Sequence, residues 1–372
     1  MTLFFLEGNE AIARGAFAAG CNFFAGYPIT PATTIFNTMM KLLPPAGGIC
    51  LQGEDEIASI GFCLGASMAG GKAMTATSGP GISLCSEQIS FAIAGEIPIV
   101  IIDVQRLGPS TGSATLGADG DIQFIRWGNS GGFPVIVLAP VDVRDCFLLT
   151  IHAFNLAEIF RCPVFVASNK EIGMTRESID MHGLQIPAIV TRKAPPKGKP
   201  FRPFSASKMG VPYFLPMGGD VPVRQTSSSH DYDGYITNNP DEIEAIRIRL
   251  KQKLKAVNEK YCFYEAYIEE NSKILLFAYG VTARAARAVY RKLKQEGKPV
   301  SLLILKTLWP VPRDLLIKYT KNIKRMVVVE MNLGQYVREL ERNLPDITID
   351  FLGQMNGQLI TPNQIREAIE HG

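Results

Sequence analysis

Short apolar runs of strand length recur through the first half of the chain, and the segments between them carry apolar positions at helical spacing. NFFAGYP (22–28), GKAMTATS (71–78), IPIVIIDV (97–104), FPVIVLAP (133–140) and CPVFVAS (162–168) read as strands. DEIASIGFCLGASMAGG (55–71) and SLCSEQISFAIAGE (83–96) read as helices. Strands that are apolar throughout, rather than alternating, belong to a parallel sheet covered on both faces. The pattern predicts a doubly wound α/β domain over residues 1–195.

The periodicity then lapses. Residues 196–262 begin rich in Pro, Gly and Ser and end in a charged helical run, DEIEAIRIRLKQKLKAVNEKY (241–261). Such an excursion joins two domains or wraps a neighbour. Regular alternation returns over 263–372, with strands KILLFAYG (273–280), VSLLILK (300–306) and KRMVVVEMN (324–332). The helices there are VTARAARAVYRKLKQEG (281–297), closed by Gly297, DLLIKYTKNI (314–323) and TPNQIREAIEH (361–371). The expected architecture is two α/β domains in series.

Composition narrows this little. The chain is 47% hydrophobic and 20% charged with a formal charge of +3, too small to imply nucleic acid as a partner. The basic stretches 191–203 and 247–260 read as a solvated linker and a solvated helix face. No apolar run approaches the roughly 20 residues of a membrane span. The N-terminus lacks a basic n-region, so no signal peptide is expected. Seven cysteines without a C-x-x-C pair point to a reduced, cytoplasmic chain that ligates no iron–sulfur cluster alone. His152, His182, His230 and His371 are too scattered for a metal site; His230 with Asp231 is expected to organise the linker.

Four stretches carry candidate chemistry. In AGYPITPATTIF (25–36), Pro28 and Pro31 stiffen the loop around Thr30, with Thr33 and Thr34 available to cap a following helix. The loop is either a plain connector or a rigid mount for the Thr30 hydroxyl. In QGEDEIASIGFCLGASMAGG (52–71), Glu54, Asp55 and Glu56 open a helix, where the macrodipole favours acidic residues. Gly61, Gly65 and Ala69 form a small-residue ridge that admits another helix closely, which would bury Glu56 near an interface. TATSGPGISLCSEQ (75–88) turns directly from strand to helix, either as a tight turn or as a ligand-binding edge, but is no dinucleotide fingerprint. In DVQRLGPSTGSATLGADGDIQF (103–124), Arg106 leaves the best-defined strand ahead of a loop bearing Ser110, Thr111, Ser113 and Thr115. An arginine there either clamps a carboxylate or serves a structural salt bridge.

GYPITP, the second Glu of GEDEIAS, TSGPG and VQRLGPSTG together closely resemble the alpha subunit of 2-oxoacid:ferredoxin oxidoreductases, which are thiamine diphosphate enzymes. The resemblance continues through SSSHDYDGYITNNPDE, GVTARAA, LKTLWPVP and VVVEMNLGQ, nearly the whole chain. It implies a pyrimidine-type thiamine diphosphate-binding domain followed by a transketolase-C-terminal-like domain. Glu56 matches the glutamate that hydrogen-bonds N1′ of the cofactor's aminopyrimidine and relays acid–base catalysis through it, a task suited to a buried carboxylate. Tyr27 and Pro28 fall with Thr30 on the cofactor side, and Thr30 matches the loop threonine beside the reactive carbon. Arg106 matches the arginine that binds the 2-oxoacid carboxylate, with Ser110 and Thr111 in the loop closing over substrate. The chain departs from the family at Ala32, where a small hydroxyl is common. It departs again at Asn169 and Lys170, where acidic residues are usual and contacts to a partner are expected to change.

The implied activity is reversible, CoA-acylating oxidative decarboxylation of a 2-oxoacid, with electrons passed to ferredoxin. GPSTG followed by DIQFIRWG is most similar to the 2-oxoglutarate branch, giving succinyl-CoA and CO₂; 2-oxoisovalerate and pyruvate are the alternatives, and a non-catalytic two-domain scaffold is the competing class. Arg126 is the candidate for a second substrate cation. Asp119-Gly120-Asp121 is read as lacking the helix and Asn of a Mg²⁺–diphosphate site. A beta subunit is therefore expected to bring Mg²⁺, the diphosphate side and a [4Fe-4S] cluster, with gamma and ferredoxin-like delta subunits completing the complex. Glu330–Gln335 is expected at a subunit contact.

Overall fold

The computed structural model describes residues 3–180, 183–206 and 210–371; His182 lies outside the described residues. Seven strands form the first sheet in the order Thr307–Trp309, Ile136–Leu138, Pro163–Asn169, Ile99–Gln105, Ala73–Thr77, Phe23–Gly26, Ile49–Gln52. All pair in parallel except Thr307–Trp309, which joins Ile136–Leu138 antiparallel. Every residue of Ile99–Gln105 is buried, as expected of a central strand that is apolar but for Asp103 and Gln105. Helices cover both faces. Gly8–Ala18 packs on Val143–Phe160 on one side, and Glu56–Met68 and Ser86–Ala94 lie on the other.

The second sheet runs Thr348–Gly353, Arg325–Glu330, Ile274–Ala278, Val300–Leu305, Tyr264–Tyr267, with only Tyr264–Tyr267 antiparallel. A two-stranded ladder pairs Leu3–Glu7 with Arg176–Asp180. The elements absent from the sequence reading are mostly edges. Ile49–Gln52, Tyr264–Tyr267 and Thr348–Gly353 are half exposed and carry no continuous apolar run. Thr307–Trp309 follows VSLLILK so closely that the two read as one strand, yet it crosses to the other sheet. Single helical runs also divide. Residues 241–261 form Pro240–Gln252 and Lys255–Lys260, and the turn at Cys85 separates Pro80–Leu84 from Ser86–Ala94.

The long excursion wraps this chain's own first sheet. Just ahead of it, Arg192 grips the buried Glu158 at 2.8 Å and donates to Gly71 O at 2.5 Å and Ser67 O at 2.6 Å. The fully buried Glu96 receives Lys253 Nζ at 2.9 Å and Arg249 Nη2 at 2.5 Å. Burial would raise the Glu96 carboxyl, but Lys253 and Arg249 outweigh it and hold it down at about 2. His230 Nδ1 faces Ser228 O at 2.9 Å, and Asp231 accepts from the N–H groups of Asp233 and Tyr235, so this pair does fold the linker.

Candidate functional site

The predicted residues converge on the carboxyl edge of the central strands, where open α/β sheets bind ligands. After Phe23–Gly26 the chain turns through Tyr27, Pro28 and Thr30; Tyr27 and Thr30 are exposed and Pro28 is half-buried. The Thr30–Pro31 peptide is cis. The buried Asn9, which drew no attention in the sequence, pins this loop: its Nδ2 donates to Pro31 O and to Thr34 Oγ1, both at 2.8 Å. The following helix starts at Thr33 without a side-chain cap, so neither threonine caps it; the Thr34 hydroxyl is held by Asn9 instead.

Next along the edge, Asp55 caps Glu56–Met68, accepting from Ala58 N at 2.7 Å. With Asp55 so engaged and Glu54 exposed, Glu56 is the acidic residue turned inward, only 7% exposed. Its carboxylate lies over the turn of TSGPG. A Cβ on Gly81 would stand 2.5 Å from Glu56 Oε1 and 2.1 Å from Thr77 Oγ1, so only glycine permits this approach. The hydroxyls of Thr77 and Ser78 are buried there without a hydrogen-bond partner among the described residues. Cys85 Sγ points at Glu56 O, 3.7 Å away, and burial, reinforced by Glu56 and Asp103, pushes its thiol up to about 12, keeping it neutral.

Arg106 stands at the next strand end, 6% exposed. Nη1 donates to Thr30 O at 2.6 Å and Nη2 to Thr111 O at 2.9 Å, while Nε is buried without a partner. Two of five N–H donors are thus committed to backbone, and the remainder are free for a carboxylate. Gly79 passes beside it; a Cβ there would lie 3.6 Å from Arg106 Cγ. Ser110, at φ 53°, and Thr111 are exposed on the loop beyond. The geometry therefore joins Thr30, Arg106 and Thr111 directly, with Glu56, Thr77 and Gly81 at the neighbouring turn. Ser110 and Tyr27 make no side-chain hydrogen bond among the described residues.

Beneath this edge lie the buried Asp103, which the sequence reading passed over, the buried Asp119 and the half-buried Asp121. Asp103 faces Asp121 and the Gly79 N–H, yet neither of its oxygens completes a hydrogen bond of ordinary geometry. Burial first, then the Asp121 charge, raises its carboxyl well above the usual range. Burial also raises Asp121 to about 6, against the pull of Asp103 and Arg106, and Asp119 to about 7, against that of Asn169. The available signal was an aspartate inside the otherwise apolar run IPIVIIDV.

Two expectations are corrected here, and two further residues are placed. A helix does follow Asp119-Gly120-Asp121, spanning Ile122–Trp127, because its apolar positions pack into the core. Asn169 faces inward rather than toward a partner: its Nδ2 donates to Asp119 Oδ1 at 2.7 Å and its Oδ1 accepts from Ile172 N. Glu330–Gln335 is tied into its own chain while its Leu333 stays exposed: Asn332 Nδ2 donates to Asp119 O at 2.9 Å, and Gln335 exchanges hydrogen bonds with Gln123 and Gly120. Arg126 Nη1 donates to Gly132 O and Phe133 O, and the guanidinium stacks on Trp127.

Beside Glu56 the helix face carrying Gly61, Gly65 and Ala69 is bare. A Cβ at Gly61 or Gly65 would meet nothing described within 4 Å, and Ile57, Phe62 and Leu84 are 42%, 47% and 48% exposed around them.

The sequence model of the pyruvate flavodoxin/ferredoxin oxidoreductase thiamine diphosphate-binding family matches residues 14–252, and that of pyruvate:ferredoxin oxidoreductase core domain II matches 272–365. The chain belongs to this family. It is 40% identical to the 2-oxoglutarate synthase subunit KorA of Methanocaldococcus jannaschii, over 99% of this chain and 100% of that one. The ketoisovalerate oxidoreductase subunit VorB of Methanothermobacter thermautotrophicus is 32% identical over 98% of this chain and 96% of its own. Among solved structures, the 2-oxoglutarate:ferredoxin oxidoreductase of Magnetococcus marinus, determined with 2-oxoglutarate, coenzyme A and succinyl-CoA bound, superposes with a TM-score of 0.94 at 31% identity. That match covers 99% of this chain and 65% of the other, so this chain spans about two thirds of its solved relative. No helix among the described residues is long and apolar enough to cross a membrane.

Proposed function

We infer that this chain is the alpha-type subunit of a CoA-acylating 2-oxoacid:ferredoxin oxidoreductase, and that its 2-oxoacid is 2-oxoglutarate. The observation that carries the reading is the Glu56 carboxylate, buried over Gly81 beside the Arg106–Thr30 clamp. The residues fit thiamine diphosphate: the Gly81 cradle would be filled by any side chain, and the Thr77 and Ser78 hydroxyls next to it have no partner among the described residues. When bound, the cofactor supplies the electron sink that lets a 2-oxoacid lose CO₂.

In this reading Glu56 exchanges a proton with the N1′ nitrogen of the aminopyrimidine. Arg106 receives the substrate carboxylate on the N–H groups that Thr30 O and Thr111 O leave free, and those two carbonyls fix the plane of the guanidinium. The Thr30 hydroxyl, on a loop fastened by Asn9, stands at the mouth of the site at little further entropic cost. Tyr27 and Pro28 line the cofactor side, and Ser110 and Thr111 move with the loop that covers substrate. The domain limits implied are 1–195, 196–262 and 263–372, with Thr307–Trp309 as an arm lent to the first sheet.

The bare ridge beside Glu56 suits a beta subunit that supplies the diphosphate side, Mg²⁺ and a [4Fe-4S] cluster; gamma and delta subunits and ferredoxin complete the assembly in the cytoplasm. Similarity to KorA proteins at 37–40% identity, against 31–32% to VorB proteins, favours 2-oxoglutarate over a branched acid. The test is CoA-dependent reduction of a viologen dye by the chain co-produced with a beta-type partner, across 2-oxoglutarate, 2-oxoisovalerate and pyruvate. Preference for 2-oxoglutarate supports the reading, and preference for 2-oxoisovalerate replaces the substrate while leaving the class intact.

A further inference from the structure

Two connected hollows lie away from the catalytic edge and take no part in the site described so far. Ala94 stands just ahead of strand Ile99–Gln105 and Phe133 just ahead of Ile136–Leu138, so the hollows they line open at the amino ends of the parallel strands. The smaller, of about 240 Å³, is closed by the linker at Ser227, Ser229 and His230 and by helix Pro240–Gln252. The larger, of about 1070 Å³, continues along that helix and shares Gly131, Phe133, Ile243 and Arg247 with the first. Their sizes bracket the roughly 300–1,000 Å³ of small-molecule sites.

The two hollows differ in chemistry. In the smaller one His230 is buried and packs on Phe204, the ring centroids 3.9 Å apart. Its Nδ1 donates to the Ser228 carbonyl at 2.9 Å, which leaves Nε2 of the neutral ring as an acceptor. That nitrogen is buried without a partner among the described residues, where buried polar atoms are nearly always satisfied. The Glu87 carboxylate and the free hydroxyls of Ser227 and Ser229 line the same space, against a wall of Phe91, Ile246 and Leu250. An acceptor nitrogen and a carboxylate repel a phosphate and welcome a ring or sugar that carries N–H or O–H donors.

The larger hollow is cationic. Arg247 and Lys251 stand one turn apart on Pro240–Gln252, and Lys255 heads the next helix; none of the three is paired among the described residues. The sequence reads this row as a solvated helix face, yet it borders the hollow, which Trp127 and Pro310 also line. Glu244 is the one carboxylate among the described lining residues. We propose that the connected hollows bind a nucleotide, its base and sugar in the pocket at His230 and its phosphates along Arg247, Lys251 and Lys255. Arg247 lines both hollows and so marks the junction between sugar and phosphate. A free nucleotide and the nucleotide end of coenzyme A offer this same chemistry.

The experiment is calorimetric titration of the purified full chain with ADP, GDP and pyrophosphate. ADP or GDP is expected to bind with submillimolar affinity that weakens as salt rises. Lys251→Glu, an exposed change, weakens the nucleotide and pyrophosphate about tenfold alike. His230→Phe keeps a ring on Phe204 and removes the acceptor, so it weakens the nucleotide about fivefold and leaves pyrophosphate unchanged. A disordered linker would instead weaken both probes and lower the melting temperature. No binding of ADP or GDP at millimolar concentration, or full affinity for both in Lys251→Glu, overturns the proposal; full affinity in His230→Phe overturns the placing of the base. Displacement of the bound nucleotide by coenzyme A assigns the hollows to the coenzyme, and its failure assigns them to a free nucleotide. No arm needs turnover, so the result stands apart from the reading of the catalytic edge.

Discussion

Two buried polar clusters in this chain sit about equally deep and are finished differently. Around Glu96, the carboxylate is met by Lys253 and Arg249, and Lys253 also reaches Arg161 O at 2.9 Å. There the Arg249 Nε alone lacks a partner among the described residues, whereas around Arg106 the hydroxyls of Thr77 and Ser78, both Asp103 oxygens and the Arg106 Nε all do. Buried polar groups are nearly always satisfied, so a concentration of orphans marks a place completed by something else. The first cluster fastens the linker to its sheet; the second waits for ligand and partner.

The comparison breaks most visibly at the two glutamates. Glu56→Gln is expected to lower turnover of the complex about a thousandfold through loss of acid–base catalysis, with the melting temperature nearly unchanged. Glu96→Gln does the opposite. It strands Lys253 and Arg249 in the interior and costs about 3–5 kcal/mol of stability in a denaturant titration, with activity per folded complex retained. A Glu96→Gln chain as stable as wild type would remove the linker cluster from the argument.

Acid sharpens the same contrast. Glu96 has a depressed carboxyl, about 2 against an ordinary 4.5, so it contributes stability above the ordinary value and loses it as pH falls toward 2. Thermal melts between pH 5 and pH 3, which cross the ordinary value and enter the window down to about 2, should drop more steeply in wild type than in Glu96→Gln.

The glycines give the smallest test. Gly65→Ala meets open space in the chain alone and should add about 0.5–1 kcal/mol through helix propensity. It should nevertheless weaken co-purification with a beta-type partner, because the ridge loses its close approach. Unimpaired assembly would place the partner elsewhere.

Much of this was legible because the signals are local. Continuous apolar runs located the parallel strands, and the prolines around Thr30, the SGPG turn and Arg106 after IIDV located the edge. What stayed hidden depends on contacts between distant residues. Asn9 lies 22 residues from Pro31, the loop it pins. Asn332 is 213 residues from Asp119, and nothing in EMNLGQ announces that it grips its own chain. Asp121 looked like half of a metal motif because its burial against Asp103 comes from the sheet, not from the spacing. The edge strands escaped because half-exposed strands carry mixed patterns.

The central claim is that this chain contributes the proton-relaying, carboxylate-binding half of a shared thiamine diphosphate site. CoA-dependent viologen reduction with 2-oxoglutarate, by complexes of equal subunit content carrying wild-type, Glu56→Gln or Glu96→Gln chains, tests it most directly. The account predicts activity in wild type and Glu96→Gln and a loss of about three orders of magnitude in Glu56→Gln. Undiminished turnover in the Glu56→Gln complex would contradict it.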